Sequence, residues 1–289
     1  MAYPRPELLE EPAALAARLD DADLRIVDAT VFLVPAERGY RAESGRERYE
    51  QGHIPGAAFM DLIDAFSDTT TGLGFSLPDP GVIADALGRL GISDDSEVVV
   101  YSTGHLMWAT RAWWLLRYVG HQRASVLNGG FDAWRDLGLP FETGTARRAA
   151  VTYRPRPDAS LFTDRDGMCR AMDEPGVCTV NALSPEVYAG TGTTNYGRPG
   201  HIPGSVNVPY EDLLAGGRFK PAGALAEALE STGLLDADRV VTYCGGGIAA
   251  TLDGFACLLL GHDNVAVYDG SMSEWARDPS LPLNVGEAP

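Results

Sequence analysis

The sequence predicts an α/β protein built as two tandem doubly wound domains, each a parallel sheet flanked by helices. The first sign is repetition. Gly52-His53-Ile54-Pro55-Gly56-Ala57 returns as Gly200-His201-Ile202-Pro203-Gly204-Ser205. Val98-Val99-Val100-Tyr101-Ser102 returns as Val240-Val241-Thr242-Tyr243-Cys244, and Asn128-Gly129-Gly130 with Trp134 returns as Asp269-Gly270-Ser271 with Trp275. Landmarks that recur in one order at nearly constant spacing imply a duplicated unit. The second sign is alternation of short apolar runs with longer segments of helical period, the pattern of parallel strands joined by crossover helices.

In the first copy the spacing predicts a strand over Val98 to Tyr101, a helix from about Met107 to Val119 and a strand over Ser125 to Leu127. The second copy repeats this with a buried strand from Arg239 to Tyr243 and a helix from about Ala249 to Gly261. That helix places Leu252, Phe255, Ala256, Leu259 and Leu260 on one face, and a strand follows over Val265 to Tyr268. Between the copies, Thr143 to Asp158 carries Arg147-Arg148 and Arg154-Pro155-Arg156-Pro157, which lack apolar periodicity and resist helix. This segment reads as the linker, with domains over 1–150 and 151–289. A chain of 289 residues gives each half enough length to bury a core of its own.

The bulk composition narrows the partners. A formal charge of −17 opposes nonspecific binding to phosphate backbones and anionic lipid, so nucleic acid and membrane are excluded as partners. No apolar run reaches the length of a bilayer span, and Met1 to Glu7 has no export signal, which points to the cytoplasm. Cys169, Cys178, Cys244 and Cys257 are too few for a disulfide framework and lack paired CxxC spacing, so no structural zinc is expected.

The chemistry concentrates at Tyr243-Cys244-Gly245-Gly246-Gly247-Ile248-Ala249, a cysteine at the end of a predicted buried strand, three glycines and then a helix. Glycine permits backbone conformations that turn N–H groups inward, and a ring of amides at a helix N-terminus forms an anion nest reinforced by the helix dipole. Such a nest suits a nucleophilic thiolate or an anionic persulfide. Ligands in doubly wound folds gather at the carboxyl ends of strands, where this loop falls.

On these residues the chain resembles the rhodanese superfamily over nearly its whole length, in the tandem form with a catalytic C-terminal domain. The resemblance matches Cys244 to the sulfur-accepting cysteine and Gly245, Gly246, Gly247, Ile248 and Ala249 to the cradle that it begins. It also matches the two HIPG segments and the Gly270 to Trp275 region to family signatures. Ser102 stands where the second half has Cys244. A hydroxyl cannot form a persulfide, so the first half is expected to be inert and to wall off the cleft. Met107 to Trp114 resembles the corresponding family helix, its aromatics being core and interface.

The resemblance further implies a sulfurtransferase without metal or organic cofactor, which passes sulfur to a thiol, a thioredoxin-like protein or cyanide. A loop free of cations resembles that of 3-mercaptopyruvate enzymes, whereas basic loops accompany thiosulfate. Departures qualify the donor. The family's loop serine is Gly246 here, Asn181 and Leu183 stand where Asp and Arg are common, and one of two substrate arginines falls near Val187. Arg198 lies close enough to replace the other and is the candidate for binding the donor's carboxylate. His53 and His201 read as turn residues, Cys257 as core, and Thr251 and Asp253 as helix caps.

Other classes fit less well. A cysteine phosphatase needs an arginine six residues after the cysteine, where this chain has Ala250. A noncatalytic binding or sulfur-carrier module fits the first half and is opposed in the second by Cys244.

Overall fold

The computed structural model describes residues 2–36, 40–193 and 196–289. In chain order the first half comprises β1 (Leu9–Glu10), α1 (Pro12–Ala16), β2 (Leu24–Asp28), β3 (Val31–Pro35), β4 (Tyr40–Ser44), α2 (Arg46–Gln51), β5 (Ala58–Phe59), α3 (Pro80–Arg89), β6 (Glu97–Tyr101), α4 (Met107–Tyr118), β7 (Ala124–Leu127) and α5 (Gly130–Asp136). Its main sheet is parallel, ordered β1-β7-β6-β2-β5, while β3 and β4 form a separate antiparallel hairpin. Val98 to Tyr101 in β6 are all buried, as a central parallel strand covered on both faces requires.

The second half comprises β8 (Phe162–Thr163), α6 (Arg165–Asp173), β9 (Val177–Asn181), α7 (Pro185–Tyr188), β10 (Val206–Asn207), β11 (Leu214–Ala215), β12 (Arg218–Phe219), α8 (Ala222–Glu230), β13 (Arg239–Tyr243), α9 (Ala249–Leu259), β14 (Val265–Tyr268) and α10 (Ser271–Trp275). Its parallel sheet reads β8-β14-β13-β9-β10, the first order strand for strand. The duplication is therefore one of topology as well as of motif, and the expected fold class stands.

Both HIPG segments fold alike. His53 stacks on Tyr49 with ring centroids 4.1 Å apart and its Nδ1 lies 2.9 Å from the Tyr49 carbonyl oxygen. His201 stacks on Tyr188 at 3.7 Å with the same Nδ1 to carbonyl distance, 2.9 Å. These histidines brace turns, as their position in the repeat suggested.

The halves meet along α4 and α9. Thr110 and Thr251 join hydroxyl to hydroxyl at 2.8 Å, the Trp114 indole donates to the Thr251 carbonyl at 2.9 Å, and the rings of Trp113 and Phe255 meet edge to face at 5.0 Å. One consequence corrects the sequence reading of α9. Periodicity gave it a single buried face, but every residue from Ala249 to Leu259 is buried, because the side facing away from its own sheet is covered by α4. Thr251 and Asp253 also fail as caps. Thr251 turns its hydroxyl back to the Ile248 carbonyl at 2.6 Å, and Asp253 is buried inside the helix. The linker is strapped to the first half: the amides of Val151, Arg156 and Asp158 donate to the carbonyls of Gly88, Val119 and Tyr118, and Tyr153 is buried.

Candidate active site

Cys244 directly follows β13, the central strand of the second sheet, and is buried where the chain turns into α9. The turn is shaped by two close approaches. Gly247 has φ +74°, and a Cβ there would lie 2.5 Å from the Asp269 carbonyl oxygen. A Cβ on Gly245 would lie 2.1 Å from the Tyr196 hydroxyl. Gly246 is different, since its nearest neighbours would be Ser273 Oγ at 3.8 Å and the Gly74 carbonyl oxygen at 3.9 Å. Backbone thus requires glycine at 247, a tyrosine side-chain end crowds position 245, and a Cβ at 246 would make only ordinary contacts.

The amides divide into two sets. Those of Cys244 and Gly247 both donate to Ser271 Oγ at 3.1 Å, and that hydroxyl donates onward to the Tyr268 carbonyl at 2.8 Å. The carbonyls of Cys244 and Gly245 accept from the amides of Met272 and Ser273. The amides of Gly245, Gly246, Ile248 and Ala249 make no hydrogen bond among the described residues. They sit at the N-terminus of an 11-residue helix, where unpaired donors and the helix dipole favour an anion.

A buried cation reaches this loop from the first half. Arg111, on α4, donates from Nη1 to the Gly247 carbonyl at 3.3 Å and to Asp269 Oδ1 at 2.7 Å, and from Nη2 to the Phe75 carbonyl. Asp269 Oδ2 accepts the Leu77 amide at 2.7 Å, so the segment around Phe75, itself at φ +61°, is fastened beside the Cys244 loop. Residues of the first half thus pack against the loop that follows Cys244.

The rings of His105, from the first half, and Tyr210, from the second, meet edge to face at 5.0 Å. Burial lowers the His105 pKa, and its Nδ1 accepts the Met107 amide at 3.1 Å, so the neutral ring carries its proton on Nε2. Burial raises the phenol pKa of Tyr196 and of Tyr210, with the nearby Cys244 charge adding to both and Glu211 to Tyr210. Both phenols are donors throughout the neutral range.

Cys244 and the cradle from Gly245 to Ala249 thus come together, but Arg198 is committed elsewhere. Its guanidinium donates to the carbonyls of Ala276, Leu281, Trp275 and Asp278 at 3.1, 3.0, 3.4 and 2.7 Å. Those bonds fasten the C-terminal segment and use its donors, so a carboxylate-binding role is not carried forward. Sequence reasoning missed Arg111, Tyr196, Tyr210, Ser271 and Ser273. Only Ser271 left a signal: the repeat aligns it with Gly130, and the two share the left-handed region at φ +48° and +59°.

The first half shows what such a loop becomes without its thiol. Ser102 Oγ donates to the His105 carbonyl at 2.7 Å, and the Asp132 carboxylate accepts the Gly104 amide at 2.9 Å. A protein acid already occupies an amide there. No group of three His, Cys, Asp or Glu among the described residues is placed to hold a metal ion.

A cysteine at the carboxyl end of a central parallel strand, followed by unpaired amides at a helix N-terminus, fits an enzyme of nucleophilic group transfer. The Rhodanese-like domain family model matches residues 11–137 and 184–278, and the chain belongs to that family. It is 32% identical over 277 residues to the 3-mercaptopyruvate sulfurtransferase of Escherichia coli K12, covering 93% of this chain and 95% of that one. It is 33% identical over 257 residues to the thiosulfate sulfurtransferase of Gallus gallus, covering 88% of this chain and 86% of that one. The crystal structure of an E. coli 3-mercaptopyruvate sulfotransferase superposes with a TM-score of 0.83 at 30% identity, over 91% of this chain and 98% of that one. The protein is a sulfurtransferase, and among the described residues no helix is long and apolar enough to cross a membrane.

Proposed function

We propose that Cys244 is the sulfur carrier and that the preferred donor is 3-mercaptopyruvate. In a two-step ping-pong reaction the Cys244 thiolate attacks the donor sulfur, pyruvate leaves, and the persulfide hands its outer sulfur to a thiol, a thioredoxin-like protein or cyanide. The observation that carries this reading is the set of unpaired amides at Gly245, Gly246, Ile248 and Ala249, held open while Ser271 fixes the other two. Such donors hold a persulfide anion without a metal or organic cofactor.

The donor preference rests on charge. The guanidinium that reaches the loop, Arg111, is spent on Gly247, Asp269 and Phe75, which leaves little fixed positive charge for a dianion such as thiosulfate. Thiosulfate remains the second reading, supported by the similarity to the Gallus gallus enzyme. We further place the protein in the cytoplasm, where four free cysteines stay reduced and a net charge of −17 discourages nucleic acid and anionic lipid as partners.

The test is mass spectrometry after donor addition. Sulfur is expected on Cys244 alone, and Cys244→Ser should neither load sulfur nor turn over while keeping its fold. Sulfur on another cysteine, or activity in the serine variant, would overturn the assignment. The ratio of kcat/KM for the two donors decides between them.

A further inference from the structure

Two hydroxyls converge on adjacent residues of the catalytic loop and are left without work by the rest of the protein. Tyr196 lies over Gly245, close enough that a Cβ there would meet its oxygen at 2.1 Å. Ser273 is anchored by its own amide to the Gly245 carbonyl at 2.8 Å, and its Oγ would stand 3.8 Å from a Cβ on Gly246. Among the described residues neither hydroxyl makes a hydrogen bond, although both side chains are half-buried. The neighbouring polar groups contrast with them: Ser271 Oγ is saturated by two amides and a carbonyl, and Tyr210 donates to Glu211 at 3.2 Å. A donor with no protein partner beside the Cys244 loop is free to bind a ligand there.

We propose that the hydroxyls of Tyr196 and Ser273 together bind the 2-keto oxygen of the sulfur donor and stabilise the enolate that forms there. The inference rests on the reading of 3-mercaptopyruvate as donor and adds the residues that recognise it. The Cys244 thiolate forms a bond to the donor sulfur, and the bond from that sulfur to C3 breaks. Its electron pair passes through C3 and C2 onto the keto oxygen, giving the enolate of pyruvate and a protonated persulfide. The persulfide proton is released to solvent, and a solvent proton is taken up at C3, so the sum is thiolate plus 3-mercaptopyruvate giving persulfide anion plus pyruvate. Tyr196 and Ser273 keep their protons throughout. Desolvation and the negative sulfur hold the Tyr196 phenol protonated, which suits a hydrogen-bond donor and rules it out as a base near neutral pH. The charge that develops on one oxygen needs donors close by, and two neutral hydroxyls stand beside adjacent residues of the loop. The guanidinium of Arg111 is already committed to protein oxygens.

The experiment separates the two half-reactions of the full-length protein. In single turnover, Tyr196→Phe should slow sulfur loading from 3-mercaptopyruvate about 10²-fold, the effect of losing one oxyanion donor. Apparent donor affinity should change little, because the lost bond matters most as the enolate forms. Ser273→Ala should slow the same step, and the double variant should be slower than either. Discharge to cyanide of protein preloaded with inorganic polysulfide should keep its wild-type rate in all three. Loading at the wild-type rate in both single variants would overturn the proposal. Loading and discharge slowed in equal proportion would also overturn it, since that is the mark of a structural role. Wild-type protein that loads from polysulfide but not from 3-mercaptopyruvate would instead remove the donor reading on which the proposal rests.

Discussion

Ser271 Oγ stands 3.1 Å from the amide nitrogen of Cys244, and through this contact the residue that opens α10 fixes the start of the glycine loop. The same oxygen takes the Gly247 amide, so both ends of the triple glycine are tied to one atom. The aligned residue of the first half, Gly130, adopts the same left-handed backbone without cost. Serine at φ +48° is strained by about 1–2 kcal/mol, and the hydroxyl it carries offsets that strain. Ser271→Gly should relieve the strain yet free two buried amides, whereas Ser271→Ala should keep the strain and free them as well. Ser271→Ala is therefore expected to be the less stable of the two, below wild type by roughly 1–3 kcal/mol in urea unfolding. Both should lose kcat/KM, since an untied loop no longer presents its free amides.

Arg111 makes a second prediction about the same loop from the other half of the chain. Its ion pair with Asp269 is buried at the arginine end, and breaking one side leaves an uncompensated charge. Arg111→Met should destabilise the protein by about 3–5 kcal/mol and loosen the segment around Phe75. Adding Asp269→Asn should recover part of that loss, because the orphaned carboxylate is gone. A double-mutant cycle read by denaturant unfolding measures the coupling. Additive losses would show that the pair does not act as a unit.

The duplicated parallel fold was legible because strand runs, HIPG turns and glycine corners recur as contiguous words, and contiguous words survive duplication. Cys244 and its cradle were legible for the same reason. Arg111 was not, because its bond to Gly247 spans 136 residues, and nothing local distinguishes an arginine that clamps a loop from one on a surface. Arg198 was singled out for its nearness to HIPG, whereas the carbonyls it binds lie 77 to 83 residues further on. The burial of α9 on all sides was hidden because it depends on α4 of the other domain, whereas helical periodicity reports only one covered face.

The three glycines after Cys244 should respond unequally to alanine. Gly247→Ala combines φ +74° with a 2.5 Å approach to the Asp269 backbone oxygen, which cannot move aside without shifting β14 or α10. Left-handed strain and steric overlap should each cost about 1–3 kcal/mol, with activity lost through distortion of the nest. At Gly245 the obstacle is the end of a tyrosine side chain, so Gly245→Ala should fold and displace Tyr196. Gly246→Ala meets no atom closer than 3.8 Å and should change stability by no more than about 0.5 kcal/mol. Thermal unfolding of the three variants checks the order, and a Gly246 variant as unstable as that at Gly247 would contradict the loop geometry.

Asp253 gives the protein a pH dependence that its active site does not explain. Its carboxyl lies within α9, fully desolvated, and neither oxygen has a hydrogen-bond partner among the described residues. Desolvation raises its pKa well above the ordinary carboxylate value, so the folded protein holds this proton after the unfolded chain has released it. A folded state that binds more protons than the unfolded one loses stability as pH rises. The loss begins near the unfolded pKa of about 3.9 and runs up to the folded value at roughly 1.4 kcal/mol per pH unit. Asp253→Asn keeps the shape and removes the titration. Relative to wild type the variant should therefore gain stability between pH 5 and pH 8, measured as the difference in urea midpoints at constant m. A difference that stays flat across this range would mean that Asp253 is charged in the folded protein or shares its proton with a partner, and the neighbouring Cys257 thiol, itself pushed up by burial and by Asp253, would then be the first group to test.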